Sequence, residues 1–192
     1  MKCFALMHLG LSFTLMASQV SASQLTSEQK LLDLSQLVGS MKAHYGPLQY
    51  KKQALGIDID KLHAEYQQKV TSSHTNGEFY YQLLRFIAEF KDGHFSGTVP
   101  TSHRALVGIE TKYIEGKILI SRSAYPFLSI GDEILEVDGI SASQFLDEYS
   151  AYRRFGRTLT TRSMAAYLIG YRPGHLVPVP IAEQLQLKVS KG

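Results

Sequence analysis

The 192-residue chain predicts an α+β fold: a small helical bundle over residues 23–93, then a partly open β-barrel or sheet with short helices over 94–192. Three observations predict it. Apolar residues recur every third or fourth position as far as Phe90. After Gly93 the period falls toward two. Gly131-Asp132 and Asp138-Gly139 then bracket a short alternating segment, as turns bracket a strand. Hydrophobic residues make up 44% of the chain and charged residues 19%, which suits a packed core.

Residues 1–22 read as a signal peptide rather than part of the fold. Lys2 begins it, Phe4 to Met16 form an interrupted apolar segment, and Val20-Ser-Ala22 supplies small residues for cleavage. The apolar part is too short for a membrane span, which needs about 20 residues. Cleavage after Ala22 removes Cys3, the single cysteine. An exported chain without disulfides is therefore expected, periplasmic if the source is Gram-negative, with no membrane span after cleavage.

Thr26 and Gln29 form a capping box for a first helix, whose stripe is Leu31, Leu34, Val38, Met41 and Tyr45. Gly46-Pro47 ends it. Asp58 caps a second helix carrying Ile59, Leu62, Tyr66 and Val70. Thr75 and Glu78 offer a box for a third, with Phe79, Leu83, Phe86, Ile87 and Phe90. None of the three can bury its stripe alone, so they form a bundle. Strands are expected at Phe95–Val99, Leu106–Lys112, Lys117–Ser121 and Ile134–Val137, with Glu115-Gly116 as a hairpin turn. Ser141 and Gln144 box a short helix. A helical insertion at about 150–175 holds a further helix from Thr160 to Ile169, and Pro173-Gly174 opens an extended linker. Gln184–Val189 alternates as a half-buried strand.

Composition narrows the function. Net charge is +3 and the basic residues are scattered, which argues against nucleic acid as a partner. The seven histidines show no metal-ligand spacing, so neither metal nor cofactor is expected. Asp92, His94 and Ser96 place an acid, an imidazole and a hydroxyl at period two, which admits a small hydrolase. Successive members on an extended face stand about 6–7 Å apart, a poor spacing for a relay. The alternative is that Asp92-Gly93 ends the third helix and His94 packs or bonds at the junction.

The run Leu128-Ser-Ile-Gly-Asp-Glu-Ile-Leu-Glu-Val-Asp-Gly139, with Ala105-Leu-Val-Gly-Ile-Glu110 upstream, resembles a PDZ domain. The preceding helices, ending in Lys91-Asp-Gly-His-Phe95, make the whole similar to the tail-specific (C-terminal processing) serine peptidases. The resemblance implies peptide binding by strand addition at a glycine-containing loop. Arg104, Leu106, Val107, Gly108 and Ile109 would form that site, with Arg104 near enough to pair with a terminal carboxylate. It implies unfolded or C-terminally exposed polypeptides as partners. Asp92, Gly93 and His94 match a recurrent family segment of no assigned role.

In that family the nucleophile lies downstream of the PDZ domain, activated by a lysine. Ser163 and Lys188 imitate the order but not the context. Ser163 falls in a predicted helix without an oxyanion-forming turn, and Lys188 on the polar face of a strand. The expectation is a substrate-recognising region, inert alone, with the catalytic domain missing. A free-standing envelope adaptor of PDZ type is the alternative from another class.

Overall fold

The computed structural model describes residues 23–153, 159–179 and 184–192. The signal-peptide expectation at 1–22 lies outside them, as does part of the expected insertion.

Four helices come first. α1 (Ser27–His44) starts at the expected box: Thr26 Oγ1 accepts from the Gln29 N–H, and Gln29 Oε1 accepts from the Thr26 N–H. These bonds satisfy donors that every helix start leaves unpaired. α2 (Leu48–Leu55) has no counterpart in the sequence expectation. Its eight residues are too few to display a period, and Gly56 closes it at φ 68°. α3 (Ile59–Thr71) is capped by Asp58, which accepts from Asp60 N–H and Lys61 N–H. α4 (Asn76–Glu89) is capped by Thr75. Its box is displaced by one residue, because Glu78 Oε2 accepts from the His74 N–H at 2.6 Å.

The helices close over Leu34, Val38, Tyr66, Phe79, Phe86 and Phe90. Phe86 meets Tyr66 and Phe90 edge-on, with ring centroids 5.3 and 5.5 Å away.

The remaining elements are β1 (Arg104–Leu106), β2 (Ile109–Ile114), β3 (Lys117–Ser123), β4 (Glu133–Val137), β5 (Ile140–Ser141), α5 (Ala142–Ser150), α6 (Leu159–Tyr167), β6 (Tyr171–Pro173) and β7 (Leu187–Ser190). The main antiparallel sheet runs β2-β3-β4-β5, with β7 also paired to β4; β1 and β6 form a separate ribbon. The fold is α+β with an open sheet, not a closed barrel. Glu115 (φ 49°) and Gly116 (φ 86°) turn β2 into β3, and Asp138 (φ 51°) and Gly139 (φ 82°) turn β4 into β5. Paired positive φ values match the twist of a tight hairpin. A second apolar cluster lies between the main sheet and α5 and α6, with Ile118, Ile134, Phe145 and Ala165 at its centre.

Three expectations are corrected. Residues 95–99 form no strand: Phe95 stacks on Tyr45 at 5.1 Å, and the Val99 N–H donates to His175 O at 2.9 Å. The strand expected over Leu106–Lys112 is broken at Gly108, whose φ of 77° sends β1 to a different sheet from β2. The extended linker at Pro173-Gly174 begins instead as the end of β6, because α6 gives way at residues 168–170 to a turn that returns the chain to β1.

Candidate functional site

The β1–β6 ribbon determines which backbone groups remain available. Its register pairs Arg104 with Pro173, Ala105 with Arg172 and Leu106 with Tyr171. The Gly174 N–H donates to His103 O at 2.8 Å, and the Val107 N–H to Gly170 O at 3.0 Å. Residues 103, 105 and 107 therefore face β6. By the alternation of an antiparallel ladder, the N–H and C=O groups of Arg104 and Leu106 face away from it. Glycine is required across the seam. A Cβ on Gly170 would lie 2.0 Å from Ile109 O, and one on Gly174 would lie 2.6 Å from His103 O.

The five residues expected to bind peptide thus separate. Arg104 and Leu106 are exposed, Leu106 at 77%, with outward backbone groups. The Val107 amide is already bonded to Gly170. Gly108 is exposed, and its carbonyl accepts from the Ala124 N–H at 2.8 Å. The Ile109 side chain is buried in the core. Residues 170–173 cover one margin of the chain from Val107 back to Arg104, so the open edge is the opposite one.

Beside that edge lies a groove of about 1090 Å³. Leu106, Tyr125 and Phe127 line it together with Leu185, Leu187 and Val189. Its volume lies slightly above what small-ligand sites usually enclose. Arg172 also lines it, with its side chain 3% exposed. The Arg172 Nε donates to Leu168 O at 3.1 Å, and Nη2 stands 3.5 Å from Asp138 Oδ2. The guanidinium sits 5.3 and 5.4 Å from the ring centres of Phe145 and Tyr149. Sequence reasoning missed Arg172, since nothing in Tyr171-Arg172-Pro173 separates it from a surface arginine.

The Phe127 wall is tied down from the chain end. Lys191 Nζ donates to Phe127 O at 2.7 Å and to Asp132 Oδ2 at 2.8 Å. Asp132 also accepts from the Ser129 N–H. The Lys191 bond, then the backbone donors, hold its carboxyl below the ordinary value.

The Asp92-Gly93-His94 segment lies elsewhere. Asp92 accepts from the Tyr45 hydroxyl at 2.6 Å and from the His94 N–H at 2.9 Å. The Tyr45 hydroxyl lowers the Asp92 pKa; burial first, then that carboxylate, raises the Tyr45 pKa. The His94 ring is fully exposed, Nδ1 3.6 Å from Asp92, so the histidine bonds at the junction through its backbone and does not pack there. Ser96 is exposed. Asp92 serves as a brace for Tyr45 and the loop, not as the carboxylate that orients the imidazole of a relay. Ser163 is exposed on α6, and Lys188 pairs with Glu136 at 2.7 Å across β4 and β7. Among the described residues, no group of three or more His, Cys, Asp and Glu is placed to hold a metal, and no helix is long and apolar enough to cross a membrane.

No family model matches the chain, and no curated protein does. Solved structures match. Mature CPAF complexed with lactacystin aligns at a TM-score of 0.75 and 25% identity, over 86% of this chain and 32% of that one. Mature CPAF alone aligns at 0.72 and 25%, over 85% and 32%. CPAF is a serine protease similar to the tail-specific proteases. The chain spans about a third of the length of these structures and is similar to that part of them.

Proposed function

We propose that this chain is the substrate-recognising region of an exported tail-specific serine peptidase, binding extended peptides with exposed C-termini. Residues 94–192 act as a PDZ-like recognition unit and residues 23–93 as a helical unit bracing it. The separate apolar clusters of the two regions support that division, as does the Tyr81 hydroxyl, which crosses from α4 to donate to Gly174 O at 2.7 Å. The likeness to a third of CPAF supports the link to proteolysis. Residues 1–22 direct export.

The observation that carries the reading is the edge of Arg104 and Leu106, unpaired among the described residues, beside the apolar groove. An incoming strand gains main-chain hydrogen bonds from such an edge, and the groove receives alternate side chains. Arg104, exposed at the start of β1, pairs with the terminal carboxylate. On this reading strand addition occurs on the outer side of β1 rather than at Val107 and Ile109.

Fluorescence anisotropy with a labelled aliphatic hexapeptide tests it. The free-acid peptide should bind several-fold more tightly than its amidated twin, and Arg104→Ala should abolish the difference. Equal affinities would remove carboxylate capture, and no binding of either peptide would remove the function.

A further inference from the structure

β7 has a free edge of its own. Its register pairs Glu136 with Lys188 and Val137 with Leu187, and the Asp138 N–H donates to Gln186 O at 2.8 Å. Residues 186 and 188 therefore face β4, and alternation turns the N–H and C=O of Leu187 outward. Among the described residues, β7 pairs with β4 alone, and β1 with β6 alone. Residues of both strands, Leu106 and Leu187 among them, line the same groove. Among the described residues, two unpartnered backbone edges thus border one apolar cleft. Unpaired strand edges are open templates that a protein must cover, charge or use.

We propose that the peptide does not add to one edge but inserts between two, bonding Leu106 of β1 on one side and Leu187 of β7 on the other. The bound segment then joins the ribbon and the main sheet into one continuous sheet. The favoured ligand is an extended peptide of aliphatic character on both faces. A helix has free backbone groups only at its two ends and none along its length to match such edges, and a small molecule lacks the successive main-chain groups that would satisfy both. This inference rests on the peptide-binding reading and specifies its geometry.

An N-methyl scan separates the two. Successive N–H groups of a strand point to opposite edges, so methylation at odd and at even peptide positions probes different neighbours. Insertion predicts that single N-methyl groups in both registers weaken binding, each by about five- to tenfold, as expected for one lost hydrogen bond. It also predicts that the backbone amides of both Leu106 and Leu187 become protected from hydrogen exchange in the complex. Sensitivity confined to one register, with only Leu106 protected, would overturn insertion and leave single-edge recognition standing. A parent peptide that does not bind at all would overturn both. The scan alters only the ligand, so a misfolded variant cannot confound it.

Discussion

In the helical region, Phe79, Phe86, Tyr66 and Leu34 meet as side chains on helices whose starts are set by residues three positions apart. In the sheet region, the decisive meetings are between backbones: Ile109 with Gly170, and His103 with Gly174. A side-chain core tolerates local repacking and loses stability in proportion to the volume removed. A backbone seam has no side chain to yield, and what it positions, the β1 edge, is the surface proposed to bind peptide. The helical region thus governs how firmly the chain folds, while the seam also governs what the groove presents.

Phe86→Ala should have the largest effect, a loss of about 3–5 kcal/mol in urea unfolding. The peptide affinity of the folded protein should not change. Gly170→Ala should cost about 1–3 kcal/mol or more, because backbone must shift. It should also weaken peptide binding several-fold by displacing β6 from β1. Unchanged affinity in Gly170→Ala, or a loss of affinity in folded Phe86→Ala, would break the contrast between the regions.

Smaller substitutions sharpen it. Tyr45→Phe removes a bond to a carboxylate and should cost about 1.5 kcal/mol. NMR titration should then show the Asp92 pKa rising toward its ordinary 3.8. Thr26→Ala should cost about 1 kcal/mol through loss of the cap, with no effect on binding.

The ion pair beside the groove gives a pH signature. The folded-state pKa of Asp132 is lowered, so its contribution is fully present above the ordinary 3.8 and is lost as pH falls through the lowered value. The Tm difference between the natural chain and Asp132→Asn should hold constant from neutral pH to about pH 5, then shrink on further acidification. A difference that persists at pH 2 would show that Asp132 acts by shape rather than charge.

Legibility followed the range of the interactions. The caps at Thr26, Asp58, Thr75 and Ser141 depend on neighbours two to three residues away, and each starts a helix where expected. The turns at Glu115-Gly116 and Asp138-Gly139 are equally local. α2 escaped notice because eight residues carry too little periodicity. β6 escaped because Tyr171-Arg172-Pro173 is a strand only by virtue of β1. Of the candidate site, Arg104 and Leu106 were legible from the glycine that follows them; Arg172 and Leu187 became lining residues only once β6 and β7 took their places.

By itself, then, the order of residues determined the α+β class, the helix starts and the tight turns, because each arises from contacts within a few positions. Only the tertiary structure decided which side of β1 is open. That choice depends on Gly170 and Gly174 approaching a distant backbone closely enough to claim every second amide, and pairing between remote segments leaves no periodic trace in either one.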